Sequence, residues 1–162
     1  MTTSIARVVL LLVALGVAGC DQASKGWAER SLDGEPPVEL IGGRLDMHYT
    51  QNPGMAFSAE RALPGPVRTP LLIGAALAVL GALLTAWARH RGRPSLRAVG
   101  AAVIAGGAAG NLTDRFARGY VVDFIHWHGW PIFNVADVAL LVGAALLAIA
   151  AFRTARGAPR TT

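Results

Sequence analysis

The chain has 162 residues, of which 53% are hydrophobic and only 15% charged, with a formal net charge of +5 and a sequence pI of about 10.6. A soluble domain carries charge on about a quarter of its residues, so the composition points to an integral membrane protein rather than an ordinary soluble domain. The basic excess would suit a nucleic-acid binder, but its distribution along the chain excludes that.

The first apolar run covers residues 5–20 and is broken only by Arg7. It closes on Val17-Ala18-Gly19-Cys20, which with Arg7 and the apolar run has the form of a lipoprotein signal peptide ending in its lipobox. The competing reading is a small residue at the end of a retained helix. Three further apolar runs favour retention, because an anchored lipoprotein needs none. The single cysteine excludes an internal disulfide. Asp21 and Lys25 follow at four-residue spacing, in the order favoured for a helical ion pair.

Gly34-Glu35-Pro36-Pro37 is a loop signal, and residues 38–41 and 44–49 flank Gly42-Gly43 as the two arms of a hairpin. Leu45, Met47 and Tyr49 alternate with Arg44, Asp46 and His48, which predicts a half-buried strand. An isolated hairpin is only marginally stable, so this one must rest on the membrane surface or on further strands. Pro64-Gly65-Pro66 turns the chain toward the second apolar run, residues 69–88, which has no charge. A basic connection, residues 90–95, leads to the third run, residues 96–112, rich in Ala and Gly with Arg97 near its start. Residues 113–133 are short and aromatic, and Trp127, Trp130 and Phe133 suit an interfacial belt. The fourth run, residues 134–152, is uncharged except for Asp137.

A helix needs ~20 residues to cross a bilayer. The expected fold is therefore an all-α integral membrane protein, a single domain over residues 1–162. Its four transmembrane helices fall at about 5–20, 69–88, 96–112 and 134–152, with a small extracytoplasmic β-element at about 37–58. The first and third runs are short, so Arg7 and Arg97 must snorkel to the interface. With the N-terminus in the cytoplasm, the inner segments carry Arg7, then Arg89, Arg91, Arg93 and Arg97, then Arg153, Arg156 and Arg160, and no acid. All 10 acidic residues fall outside or at the outer helix ends. Basic bias in short loops sets orientation, so both termini are expected in the cytoplasm. The high pI is a topology signal.

An acidic residue at membrane depth is costly and marks function by default. Asp137 lies inside the fourth apolar run, three residues after Asn134, so the two share a helix face. Asn134 as the helix cap would put Asp137 at the third helical position, beside the positive end of the helix dipole. The bland reading makes Asp137 a capping-box partner only. Asp123 stands in Val121-Val122-Asp123-Phe124-Ile125; alone it would be a strand-edge charge facing water. On the derived topology, however, both acids reach the outer membrane face. Two carboxyls in one low-dielectric site share a proton and titrate as a pair. Such a pair can activate water with one member and protonate a leaving amine with the other. Asp137 is expected to be the ionised base and Asp123 to hold the proton. Gly106 and Gly110 permit close helix approach. Asn111 and Arg115 share a face, and the bland account leaves Asp114 and Arg115 as solvated interfacial charges.

Five segments in order carry a resemblance. Asp21-Gln22-Ala23-Ser24-Lys25 resembles the D-Q-x-x-K segment of the lipoprotein signal peptidases, or signal peptidase II family. Asn52-Pro53-Gly54-Met55-Ala56-Phe57 looks like its N-x-G-x-A-F. Residues 106–115 are similar to its G-G-A-x-G-N-x-x-D-R, residues 121–125 to its V-V-D-F-I, and residues 133–137 to its F-N-x-A-D. The resemblance implies an aspartic endopeptidase of the bacterial inner membrane, with its site facing outward under a small β-rich cradle. Its substrates would be prolipoproteins already carrying diacylglyceryl, cut just before the lipidated cysteine. It implies Asp123 and Asp137 as the catalytic pair and Asn52, Asn111, Arg115 and Asn134 as substrate-binding residues. Asp21, Lys25 and Asp114 are then structural. Membrane lipids and lipidated prolipoproteins are the expected partners, nucleic acid is not, and a monomer is expected.

His126-Trp127-His128 offers two metal donors on one strand face. No third or fourth ligand motif accompanies them, and the resemblance implies no metal and no cofactor. No serine or cysteine sits near a plausible base. The rival from another class is a small proton-coupled transporter or membrane binding subunit, which needs acids spread through the bilayer. Here they gather at one side.

Overall fold

The structure is a computed structural model that describes residues 3–54, 65–89 and 94–157. In chain order these form α1 (Thr3–Leu32), β1 (Val38–Ile41), β2 (Leu45–Asn52), α2 (Gly65–Arg89), α3 (Leu96–Ala117), β3 (Val121–Trp127) and α4 (Val135–Gly157). The chain is mostly helical with one small sheet. Among the described residues, α1 and α4 are long and apolar enough to cross a bilayer. Leu12, Leu15, Leu141 and Phe152 are exposed on them, a skin of large apolar side chains that suits lipid better than water.

Each helix extends beyond its apolar run, α1 most of all. Asp21 and Lys25 look like the end of the apolar stretch, yet α1 continues through them to Leu32. The reason is that both are fully buried and paired at 2.8 Å, so their charges are spent inside the bundle and do not stop the helix. At the opposite end of the molecule, Arg7 and Arg97 find protein partners where snorkelling was expected. Arg7 donates to the Ala88 carbonyl at the C-terminal end of α2, and Arg97 donates to Thr154 of α4.

α3 is central and packs on α1, α2 and α4. Its glycines let two backbones approach. A Cβ at Gly106 would lie 2.5 Å from the Ala14 carbonyl of α1, and one at Gly107 would lie 2.7 Å from the Ala136 carbonyl of α4. Gly110 likewise abuts Asp21, so the Gly106/Gly110 spacing is the α1 contact. Overpacking such a contact costs about 1–3 kcal/mol. Gly107→Val should therefore lower the unfolding temperature in detergent clearly. Gly81→Val, on α2 where an added Cβ meets nothing within 4 Å, should barely move it; equal shifts would refute the packing account.

The strands form one antiparallel sheet in the order β1-β2-β3. β3 is the extra strand that the hairpin needed. The hairpin loop is Gly42-Gly43-Arg44, with Gly43 at φ 62° and the Arg44 N–H donating to the Ile41 carbonyl at 2.7 Å. β2 thus starts one residue later than the sequence suggested and runs on to Asn52. The expected alternation of burial is absent, and residues 45–50 are half-buried throughout. Met47 and Tyr49 pack against the cluster of Ala28, Leu32, Val122 and Phe124, while Asp46 and His48 are partly covered by their hydrogen bond to each other and by His126 of β3.

β2 is irregular at one point. Met47 pairs with Ile125 but Thr50 pairs with Asp123, so three steps on β2 match two on β3. This bulge shifts the side-chain parity of β2 by one. Asn52, paired with Val121, thereby comes to the same sheet face as Asp123.

Candidate active site

Asp137 is the third residue of α4. The Asn134 side chain accepts from the Asp137 N–H at 3.0 Å, and Asp137 Oδ2 accepts from the Asn134 N–H at 3.2 Å. This is a reciprocal capping box, so the bland reading is right about the geometry and incomplete about the residue. The other oxygen, Oδ1, receives Asn111 Nδ2 of α3 at 2.9 Å. The Asn134 amide nitrogen in turn donates to Asp123 Oδ1 at 2.6 Å. Asp123 Oδ2 accepts from Asn52 Nδ2 at 2.8 Å. Asp123 is 2% exposed, so it is no strand-edge charge facing water. Asn134 joins the two carboxyls from behind.

The donors around the pair are neutral amides. They hydrogen-bond the carboxyl oxygens without cancelling charge, which leaves the pair free to hold and pass a proton. Asp123 lies on β3, outside the spanning helices. Burial pushes its carboxyl up to about 6, with the Asp137 charge adding to the rise and the Asn52 and Asn134 donors opposing it. This gives stability a definite pH dependence. Below the ordinary value of 3.8 the folded chain keeps the full benefit of the neutral form, and that contribution is lost as pH rises through about 6. The Arg115 guanidinium lies in the field of both aspartates while donating to the Asn111 and Gly54 carbonyls.

The acids open on a groove of about 250 Å³. Asn52, Asn111, Arg115, Asp123 and Asp137 line its polar side; Trp130, Ile132, Leu140 and Leu141 line its apolar side. Five of the six residues singled out in the sequence thus reach it. Asn134 is fully buried behind the acids and is not among the residues that line the groove. A larger cavity of about 340 Å³ between α1, α2 and α3 is walled by Leu10, Leu83 and Trp87 and has no acid in its lining.

Beneath the pair lies a buried ion cluster. Lys25 Nζ sits 2.8 Å from Asp21 Oδ2 and 2.9 Å from Asp114 Oδ2, and donates to Asn111 Oδ1 at 2.8 Å. Asp114 also accepts from Arg118 at 2.6 Å and from the Val122 N–H at 3.1 Å, so it is not the solvated interfacial charge of the bland account. Asp21 Oδ1 accepts the Ala136 N–H at the start of α4. Because Lys25 can only donate, it fixes the Asn111 oxygen toward itself and the Asn111 N–H groups toward Asp137. Lys25 is therefore a positioning residue for the acids, which its sequence spacing showed only as a helix pair.

A hydrogen bond to a charged group is worth about 1.5–3 kcal/mol. If Asn111 orients Asp137, Asn111→Ala should lower kcat by about 10–100-fold with KM little changed. A rise in KM at constant kcat would assign Asn111 to substrate binding instead.

Solved structures share this architecture. The chain superposes with a TM-score of 0.80 and 25% identity on a bacterial membrane enzyme determined by the in meso method at 2.3 Å, covering 95% of this chain and 93% of that one. A second such enzyme, at 1.9 Å, gives a TM-score of 0.76 and 28% identity over 88% and 91%. Fold and groove together define a membrane enzyme. The family model described as signal peptidase (SPase) II matches residues 13–153. Lipoprotein signal peptidase from Xylella fastidiosa (strain 9a5c) is 37% identical over 158 residues, covering 94% of this chain and 93% of the relative. The protein of the same name from Xanthomonas campestris pv. campestris (strain 8004) is 41% identical over 147 residues, covering 87% and 86%. That from Geobacter sulfurreducens is 37% identical over 148 residues, covering 89% and 91%. The chain belongs to the signal peptidase II family and is a protease.

Proposed function

We propose that the chain is an aspartic endopeptidase that removes signal peptides from diacylglyceryl-modified prolipoproteins, cutting just before the lipidated cysteine. The observation that carries this reading is the pair Asp123 and Asp137, joined by Asn134 and opening on a groove with one polar and one apolar wall. Peptide enters along the polar side, where Asn52, Asn111 and Arg115 present donors. Acyl chains lie along Trp130, Leu140 and Leu141, which continue the lipid-facing surface of α4. One carboxylate takes a proton from water, the water attacks the scissile carbonyl, and the other carboxyl gives its proton to the leaving nitrogen. Asp137, at the helix start, is the base and the buried Asp123 is the acid. The reaction is hydrolysis without a covalent enzyme intermediate.

The same reading makes α2 and α3 membrane spans alongside α1 and α4, in one domain of the bacterial inner membrane. Both termini face the cytoplasm, the sheet and groove lie outside, α1 is retained with Cys20 unmodified, and the protein acts as a monomer. In support, the termini of α1 and α4 that carry Arg7 and Arg156 lie at the end away from the sheet. The transporter reading is not favoured. Asp21, Asp114, Asp123 and Asp137 form one cluster around Asn111 and Asn134, with no acid leading from it toward the other membrane face among the described residues.

The test is cleavage of a lipidated precursor by purified protein, set against its unlipidated twin. Cleavage of the lipidated form before its cysteine is expected, with the twin cut far more slowly. Equal rates would remove the lipid from the recognition, and no cleavage of either would overturn the reading.

A further inference from the structure

The outer sheet carries a second cluster of chemistry-bearing side chains, on residues the peptidase reading does not use. Asp46 of β2 and His126 of β3 are directly paired across the strands. His48 and His128 stand two residues on from each, and the sheet gathers all four. Asp46 Oδ2 lies 2.6 Å from His128 Nε2 and 3.3 Å from His126 Nδ1. Its other oxygen, Oδ1, lies 3.0 Å from His48 Nδ1. The rings of His126 and His128 have centroids 4.5 Å apart, and those of His48 and His126 are 5.4 Å apart. The donor atoms of Asp46, His126 and His128 all fall within 4.8 Å of one another. The sequence showed the two histidines of β3 but not their third partner; the single-residue gap shared by Asp46-Met47-His48 and His126-Trp127-His128 was the signal.

We propose that Asp46, His126 and His128 form a binding site for a divalent transition-metal cation, Zn²⁺ foremost, with His48 orienting the Asp46 carboxylate. Imidazole nitrogen and carboxylate oxygen are the donors that Zn²⁺ takes, at bond lengths that set tetrahedral ligands ~3.3 Å apart. Asp46 and His126 already stand at that separation, and His128 has to retreat by less than ~1 Å. Three protein donors leave one position for water. His128 is half-exposed, which gives the ion a path in. A ligating carboxylate is typically held by an outer hydrogen bond, and His48 on Oδ1 supplies it.

The site sits three residues from Asp123 along β3, on the opposite side of the strand. It takes no part in hydrolysis. What it does is tie β2, which carries Asn52, to β3, which carries Asp123.

The experiment uses tag-free full-length protein in detergent, titrated calorimetrically with ZnCl₂ and followed in parallel by the visible absorption of Co²⁺. One Zn²⁺ per chain is expected, with a ligand-field spectrum for Co²⁺ and a rise in unfolding temperature on adding Zn²⁺. His126→Gln and His128→Gln should each weaken binding by at least about tenfold, and His48→Gln by about tenfold through loss of the outer support. Affinity should fall on acidification, since ligands must be unprotonated. His90→Gln, at the remaining histidine, should change nothing. Should one variant fold poorly, Asp46→Asn keeps the shape and one acceptor while removing the charge, and should lose the Zn²⁺-dependent rise in unfolding temperature. No binding at about 100 μM Zn²⁺, or undiminished binding in the His126→Gln/His128→Gln double variant, would overturn the proposal and leave the cluster as a hydrogen-bonded network.

Discussion

Asp123→Asn and Asp137→Asn should each cut turnover by at least about 10³-fold, within the range that general acid–base groups contribute, while a lipidated precursor still binds. An amide at either position keeps the volume and one acceptor oxygen, while its NH2 meets a donor that the second oxygen accepted from. Asn134 and Asn52 surround Asp123, and Asn111 and the Asn134 backbone surround Asp137, so neither substitution opens a cavity. What disappears is the ability to take or give the proton. Single-turnover cleavage alongside binding of the same precursor separates the two effects. Substantial cleavage by either variant would sink the two-carboxyl mechanism. The pH profile adds a sign. If Asp123 must arrive protonated, kcat/KM falls as pH rises, with a midpoint near the value of about 6 to which burial pushes it. In Asp137→Asn the charge of Asp137 is gone but the burial remains. The Asp123 carboxyl band in the infrared should therefore still titrate above the ordinary 3.8; a return to that value would assign the shift to the pair rather than to desolvation.

Lys25→Met should be the most destabilising of the simple substitutions in the bundle. It leaves the fully buried carboxylates of Asp21 and Asp114 facing each other without the cation that stands 2.8 and 2.9 Å from them. Breaking a buried pair by removing one partner costs about 3–5 kcal/mol, a large share of the stability of a small domain. Thermal unfolding in detergent would register it. Adding Asp21→Asn to Lys25→Met should then recover part of the loss, since the amide oxygen can still accept the Ala136 N–H while one stranded charge is removed. Further loss in the double variant would mean that Asp21 is stabilised by something other than Lys25, and the coupling would have to be reassigned.

The elements were mostly legible in the sequence because apolar runs and turn residues act locally. The four helices appear where long apolar stretches stand, and the hairpin appears where Gly42-Gly43 separates two β-prone segments. Asp137 and Asn134 were legible for the same reason, since a cap and its third-position partner are three residues apart. What local patterns could not show is pairing across the chain. Whether β3 would join β2, and in which register, depends on contacts between residues over 70 positions apart, such as Asn52 with Asp123. The reach of α1 to Leu32 was hidden because charges usually end a span, and only the fold shows Asp21 and Lys25 paired with each other and buried beside Asp114 and Asn111. Asp46 was passed over as an outward strand residue, since its partners lie 80 residues away on β3.

The bulge in β2 gives strand length a meaning that letters do not carry. Met47 and Thr50 are separated by two residues where β3 spends one. Delete His48 or Tyr49, and every motif residue of the site remains in the chain in the same order. The ladder would then run without the bulge, with Thr50 still opposite Asp123 and Asn52 still on the same face of the sheet. Two sequences of different strand length can thus bring the same motif residues to one pocket. In this fold the bulge works as slack in the strand: it takes up the odd residue between Met47 and Thr50, so the pocket tolerates one residue fewer there.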